Sequence, residues 1–453
     1  MDFTGGITFT GGLSVTPQPP IYLMGLLSQT GTNYASPISI TVDSSGNIYT
    51  LIDDMYSTTF GIILIKYDGS GTIQWQKNLT NGRQLNGQDK GGVITDRSGN
   101  VYITTVQRGA DGFDYMVTAK YDSSGNLQWQ RQLFNIIGMG IVVDSSGNVY
   151  AVGFGSGVTS GQGNNGQIVK YDSSGTLQWQ KMLSLSGNYS EYPNNVAVDG
   201  SNNVYVSMYG NTTGNDVSYI VKLDSSGSIL WQRQVSKTSI SVYVNNMAVT
   251  SAGDIYLAGR YQQVVSGQQM MLVVKYNTSG TIQWQNDLKQ NGVNTRAMYA
   301  TACAVDSSGY LYITGSISLD SDGTGNSLIC QYNSSGTLIW QRRLYKTNNS
   351  TYVTGSRIQV DNNGYIYVIN STGAVTNTAT LFAKLPTDGT KTGAYTVGGI
   401  SFTYGTPSVS CTASTGSATD SASSLTNSTS TTTASTSTMT AGTGTAISAV
   451  TII

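Results

Sequence analysis

A chain of 453 residues with no His and a single Glu, Glu191, has little with which to do acid–base chemistry. Without imidazole there is no Ser-His-Asp or Cys-His nucleophile pair and no His ligand for zinc. One Glu rules out a glycosidase-type Glu pair and leaves pairs of Asp as the remaining carboxylate option. Most Asp residues fall in turn-like strings. The sequence places three exceptions in loops: Asp53-Asp54, Asp111 with Asp114, and Asp320 with Asp322. The run Leu319-Asp320-Ser321-Asp322-Gly323-Thr324-Gly325-Asn326 offers oxygen donors for one cation, with Asp320, Asp322 and Asn326 as candidate ligands beside the plainer account of a solvated loop. Cys303 and Cys330 stand in columns that are otherwise apolar and read as buried free thiols, whereas Cys411 lies in a different region. No disulfide framework, no cofactor and no enzymatic activity are expected from this inventory.

What the residues do instead is repeat. Two phrases recur seven times with a period of about 53 residues: one like Val143-Asp144-Ser145-Ser146-Gly147-Asn148-Val149-Tyr150, the other like Lys170-Tyr171-Asp172-Ser173-Ser174-Gly175-Thr176-Leu177-Gln178-Trp179. A Tyr closes the first phrase in every copy, at Tyr49, Tyr102, Tyr150, Tyr205, Tyr256, Tyr312 and Tyr367. A Trp closes the second in six copies, at Trp75, Trp129, Trp179, Trp231, Trp284 and Trp340, which accounts for every Trp in the chain. In each phrase a short apolar run meets Asp-Ser-Ser-Gly turn chemistry and leaves as a second apolar run, the pattern of a tight hairpin. Two hairpins per repeat make a four-stranded unit. Strand-rich units at this period indicate a β-propeller, here with seven blades.

A lone blade cannot bury both faces, so the recurrent Tyr and Trp read as interblade packing, each ring burying roughly 150–250 Å². A glycan-stacking surface would require the same rings on the outside. Gly46, Gly99, Gly147, Gly253, Gly309 and Gly364 occupy the left-handed place in the first turn, and Asn202 fills it in the fourth copy, as the residue that best tolerates that conformation after Gly. The turns share the opening Asp of an EF-hand loop but lack its later carboxylates and its closing Glu, which favours a structural turn. A Lys also recurs in the second phrase, at Lys66, Lys120, Lys170, Lys222, Lys275 and Lys384, with Gln331 in the sixth copy. It reads as a solvated or locally paired strand residue.

Charged residues are only 10% of the chain and the formal net charge is −1, so no basic field exists to draw nucleic acid. The start, Met1-Asp2-Phe3-Thr4-Gly5-Gly6, does not read as a signal peptide, and no stretch is apolar and long enough to span a membrane. These points suggest folding in a cytosol. The Ser/Thr-rich polar character suits an exterior, and a virion protein released by lysis reconciles the two.

Three regions are expected: an N-terminal arm over 1–20, a propeller over 21–400 and a Ser/Thr-rich tail over 401–453. Tyr22 precedes Asp43 by the interval that separates Trp75 from Asp96, so the segment Ile21 to Leu27 stands in the register of a Trp strand without a repeat of its own. The seventh copy loses its pattern at Pro386. The N-terminal strand is therefore expected to complete the last blade, pairing antiparallel near residues 381–385. In the tail, 26 of the 46 residues from Ser408 to Ile453 are Ser or Thr. They follow a period of seven: SCTASTG, SATDSAS, SLTNSTS, TTTASTS, TMTAGTG, TAISAVT. Cys411, Ala418, Leu425, Thr432, Met439, Ala446 and Ile453 share one column, and Ala422, Thr429, Thr436, Thr443 and Val450 share another four residues on. Spacings of four and three suggest a weakly apolar heptad seam and a homo-oligomeric stalk of undecided conformation.

The phrases over residues 21–390 resemble NHL-type repeats and SBBP-type beta-propeller repeats. That resemblance implies that the first strand of each repeat lines a central channel and the Trp strand lies outermost. Both tight turns then share one face, and the variable loops, such as Gly155–Gln167 and Ser316–Ser327, share the other. The Trp phrase also resembles repeats of quinone-cofactor propellers, whose site residues have no counterpart here. The stretch Lys384-Leu385-Pro386-Thr387-Asp388-Gly389-Thr390-Lys391-Thr392-Gly393 is similar to the propeller end in tailed-phage structural proteins. It implies a virion tail fibre, spike or appendage, partnered by other virion proteins and by a host surface glycan or protein. The alternative is a cellular surface or filament protein using the ring as a rigid block.

Overall fold

The computed structural model describes residues 24–28, 35–54, 61–79, 91–156, 164–184, 190–212, 215–236, 240–263, 269–290, 297–318, 325–346, 352–374, 377–397, 400–406, 411–415, 419–422, 426–429, 434–435, 441–442 and 448–450. Among them are strands and turns and no helix. Seven antiparallel sheets follow one another along the chain, and in each of them four strands, here lettered a to d in spatial order, make a blade. Blade 3 serves as the pattern: a Ile137–Val143, b Val149–Ser156, c Asn164–Tyr171 and d Leu177–Ser184. The a strands of blades 1 to 7 begin at Ala35, Gly92, Ile137, Glu191, Ile240, Met298 and Tyr352. Strand d of blade 7 comes from the other end of the chain. Met24–Ser28 pairs antiparallel with Asn377–Pro386, with Met24 opposite Ala383 and Leu27 opposite Thr380, as expected. Met24 thus takes the place that Gln76 takes opposite Ile65 in blade 1, one step past the Trp position rather than two. Tyr22 itself lies outside the described residues.

The turns form for the reason the sequence suggests. The Asp43 carboxylate accepts from the amides of Ser45 and Asn47 at 2.9 Å, and the Gly46 amide donates to the Asp43 carbonyl at 3.0 Å. Gly46 has φ +81°, and Asn202 takes the same left-handed place with φ +62°. The turn Asp is therefore spent on its own backbone.

The core sits between blades. Each of seven buried apolar clusters joins two neighbouring blades: Tyr49, Leu51, Leu64 and Leu79 of blade 1 meet Val101, Ile103, Val117 and Tyr121 of blade 2, for example. Ring closure is the same kind of interface, with Ile40, Ile48, Ile52 and Ile65 against Tyr367, Ile369 and Phe382. All seven first-phrase Tyr residues are at most 1% exposed. A second aromatic column, Tyr67, Tyr121, Tyr171, Tyr276 and Tyr332 of the second phrase, is buried as well, which the sequence reading did not single out.

The tail is the unexpected element. Ile400–Gly405 pairs with strand d of blade 6, through Gly405 opposite Arg343. From there short strands lie antiparallel along strand d of blade 5 (Cys411–Thr415), blade 4 (Thr419–Ala422), blade 3 (Thr426–Thr429), blade 2 (Ala434–Ser435), blade 1 (Ala441–Gly442) and blade 7 (Ser448–Val450). Every blade thereby gains an outer strand, and the tail circles the rim against the order of the blades.

Candidate functional site: the loop face and the channel mouth

Strands a and c run towards the tight turns, so their starting ends, with the ends of b and d, make up the opposite face. The repeated side chains gather on the turn side and lock blade to blade. Trp Nε1 donates to a turn carbonyl of the following blade in all six copies, at 3.0–3.2 Å: Trp75 to Ser123, Trp129 to Ser173, Trp179 to Ser225, Trp231 to Thr278, Trp284 to Ser334 and Trp340 to Thr387. The turn glycine of that blade lies against the indole. A Cβ added to Gly175 would come within 2.6 Å of Trp129, and one on Gly389 within 2.6 Å of Trp340.

The recurrent Lys joins the same lock. Lys66, Lys120, Lys170, Lys222 and Lys275 each donate to the turn carbonyl that the Trp of their blade uses, at 2.9–3.5 Å. Their ammonium groups lie 5.1–5.4 Å from the first-phrase Tyr ring of their own blade. These cations therefore bridge blades, where the sequence reading had them solvated or paired locally. Where Lys is replaced, Gln331 donates to the Tyr312 hydroxyl at 2.8 Å.

In six of the seven copies the first-phrase Tyr also donates its hydroxyl to the turn Asp six residues earlier, as in Tyr205 to Asp199 at 2.8 Å and Tyr367 to Asp361 at 2.8 Å. Burial, then the neighbouring Asp charge, raises the pKa of Tyr49, Tyr102 and Tyr150 well above the usual phenol value. Blade 5 shows how tightly this is balanced. Thr250 replaces the turn Asp, the acid moves to Asp254, Lys275 pairs with it at 3.0 Å, and the Tyr256 hydroxyl turns to the Gly309 carbonyl.

The carboxylates considered for chemistry are largely engaged. Asp53 and Asp54 close a b strand, Ile48–Asp54, rather than standing in a loop, and Asp53 is buried. The Tyr115 hydroxyl donates to Asp111 at 2.6 Å and, with the Phe113 amide, holds that carboxyl below its usual range. Asp114 pairs with Arg108 at 2.8 Å. Asp320 and Asp322 lie outside the described residues. Asn326 is buried in strand c of blade 6, opposite Ile317. Cys303 and Cys330 are buried free thiols, and burial pushes Cys303 up to about 12.

The loop face is different in kind. From blade 3 to blade 6 an arc of rings steps across the interfaces. Phe154 meets Tyr192 edge-on at 4.8 Å, Tyr192 stacks on Tyr209 at 4.9 Å, and Tyr209 meets Tyr243 edge-on at 6.1 Å. The Arg260 guanidinium lies 4.5 Å from the Tyr243 ring and 5.8 Å from Tyr299. All six side chains are half-buried. The arc arises from two positions. Tyr192, Tyr243 and Tyr299 each stand seven residues before the first residue of a turn, and Phe154, Tyr209 and Arg260 stand ten residues after one. In blades 4 and 5 the two positions pair directly, Tyr192 with Tyr209 and Tyr243 with Arg260. Polar groups border the rings: Asn164 donates to the Tyr192 hydroxyl at 3.2 Å, and the Tyr243 hydroxyl donates to Asp216. Burial, with Tyr192 and Asp216 nearby, pushes Tyr209 up to about 12, so it stays protonated at neutral pH. On blade 2, Phe113 and Phe134 are 47% and 43% exposed and sit 5.0 Å apart, with Tyr115 edge-on to Phe134 at 5.5 Å.

The a strands line a channel of about 300 Å³ whose wall includes Ser39, Asn195, Asn246, Gln359 and Arg357, the last being the one charged side chain in that lining among the described residues. Bulges in these strands free carbonyls that the preceding blade satisfies. Asn194 donates to Val244, Asn245 to Ala300 at 2.6 Å and Thr301 to Gly355 at 2.6 Å. The channel wall is thus another set of interblade ties.

Comparison with known proteins gives one partial family match and several distant structural likenesses. A family model described as "Outer membrane protein assembly factor BamB" matches residues 269–378, from strand c of blade 5 to the start of strand c of blade 7. The repeat thus finds its match there, where the sequence reading pointed to NHL-type or SBBP-type repeats. No curated protein matches the chain. Among solved structures, the polysaccharide lyase Uly1 is 11% identical, with a TM-score of 0.49 over 78% of this chain and 90% of that one. The β-propeller domain of the Trilobed protease from Pyrococcus furiosus is 10% identical, with a TM-score of 0.48 over 78% of this chain and 93% of that one. A quinonprotein alcohol dehydrogenase-like protein from Bacteroides thetaiotaomicron is 15% identical, with a TM-score of 0.39 over 69% of this chain and 66% of that one.

Proposed function

We propose that this propeller is a non-catalytic recognition module whose loop face binds a surface glycan. The observation that carries the reading is the aromatic arc from Phe154 to Tyr299. The C–H face of a pyranose is apolar and packs on such rings, while Asp216, Arg260 and the Tyr hydroxyls can fix the sugar's own hydroxyls by hydrogen bonds. The scarcity of acid–base residues and the engagement of the turn Asp residues speak for binding rather than turnover. Binding of the purified protein to a glycan array is the direct test. The reading expects a restricted set of hits that Tyr192→Ala weakens by about tenfold, and an array silent for the parent protein overturns it.

The placement we favour is a virion tail fibre or appendage facing a host cell, with a cellular surface or filament protein as the alternative. Composition and the stretch from Lys384 to Gly393 support it. Mass spectrometry of purified virions separates the two. A second reading, a scaffold in protein assembly, is favoured by the match of residues 269–378 to the assembly-factor family. A silent array together with a saturable protein partner at the loop face would support it.

A further inference from the structure

The tail's period of seven has a counterpart in the ring. On successive blades the residue three places after the Trp lies opposite one tail residue: Asp287 opposite Ser414, Gln234 opposite Ser421, Met182 opposite Ser428, Gln132 opposite Ser435 and Asn78 opposite Gly442. Those tail positions advance by seven each time, and the last, Val450 opposite Leu26 on blade 7, follows after eight. Six heptads begin at Ser410, and after blade 6 takes Ile400–Gly405, six blades remain. The tail column opposite these rim positions is small throughout blades 5 to 1, four Ser and one Gly.

We propose that the rim of the ring is a strand-acceptor site for a Ser/Thr-rich heptad, one heptad per blade, and that the chain's own tail is its resident ligand. Strand d of each blade otherwise ends the sheet with a row of unpaired amides and carbonyls, the template on which foreign strands add. The ligand is recognised through its main chain, which explains why Ser, Thr, Ala and Asn can alternate at will so long as the length per blade is kept. A seven-residue unit gives each blade a paired segment of two to five residues and leaves the rest to reach the next blade. The resident tail closes the rim to a second copy of the chain, the competing occupant.

Cysteine pairs in the full-length chain test this, in a Cys411→Ser background. Met182→Cys with Ser428→Cys joins blade 3 to its heptad, and Gln234→Cys with Ser421→Cys joins blade 4 to its own. Mild oxidation is expected to give a disulfide within one copy in both variants, read by non-reducing mass and peptide mapping. No disulfide in either variant, or disulfides between copies, overturns the proposal. Length matching has its own test. Deleting residues 423–425, which separate the two strands in sequence, is expected to abolish the 182–428 disulfide and keep the 234–421 disulfide. Retention of both would show that the period of seven does not set the spacing.

Discussion

The turn face and the loop face of this ring are built from the same repeats and obey different rules. On the turn face one set of contacts recurs from blade to blade: an Asp wrapped by its own turn, a Tyr hydroxyl on that Asp, and a Trp and a Lys reaching the next blade's carbonyl. On the loop face the described side chains vary around the ring. Blade 2 exposes Phe113 and Phe134, blades 3 to 6 carry the arc, and blade 7 presents Tyr352. Where side chains are interchangeable between blades they serve the ring as a whole. Where they differ they can meet something that is not seven-fold, and a ligand is such a thing.

Substitutions can sharpen or break this contrast. The largest effect is expected for Trp129→Ala, which removes an indole only 8% exposed and its bond to Ser173. It should cost about 3–5 kcal/mol in denaturant unfolding. Gly175→Ala should follow, at about 1 kcal/mol or more, because φ is +80° and the new Cβ would press on Trp129. Tyr150→Phe, which leaves the ring and removes the hydroxyl that meets Asp144 at 3.2 Å, should cost about 0.5–1.5 kcal/mol. The smallest change in stability, within about 0.5 kcal/mol, is expected for Phe113→Ser on the exposed patch. The same substitution should weaken binding at the loop face if the patch extends the arc. A turn-face substitution that left the unfolding midpoint unchanged, or a Phe113→Ser chain that failed to fold, would erase the distinction.

Alkali tests the turn face collectively. Burial raises the pKa of Tyr49, Tyr102, Tyr150, Tyr205 and Tyr367 above the free phenol value of 10.0. The native state therefore holds protons that the unfolded chain has released. This contribution is complete below pH 10.0 and is lost as the pH rises towards the folded values. Tyrosinate absorbance should appear together with unfolding, and an early, gradual titration of all tyrosines in a folded ring would contradict the burial.

Much of the ring was legible in the sequence because each blade repeats its own instructions. The turn glycines, the Asn202 exception, the buried Tyr column and the closing N-terminal strand all follow from local spacing. Direction across an interface does not. A column of Lys tells which residue recurs but not that its ammonium reaches the following blade, since that depends on how blades stack. The arc had a signal in Tyr192, Tyr243 and Tyr299, each seven residues ahead of a turn. It fills only part of the ring, so a search for columns present in all seven copies passes over it. In the tail, spacings of four and three invite comparison with a helical seam, and what distinguishes a strand is the match between heptads and remaining blades.

Strand d of blade 7 comes from the beginning of the chain and pairs on one side with Asn377–Pro386 and on the other with Ser448–Val450. During synthesis that strand waits until Asn377–Pro386 and then Ser448–Val450 have been made, and closing so long a loop costs chain entropy before any contact rewards it. Ring closure is therefore among the last events in folding, with the outer strand added after it. Up to that moment the nascent blades carry an open edge, which makes the order of emergence from the ribosome part of how this molecule stays in register.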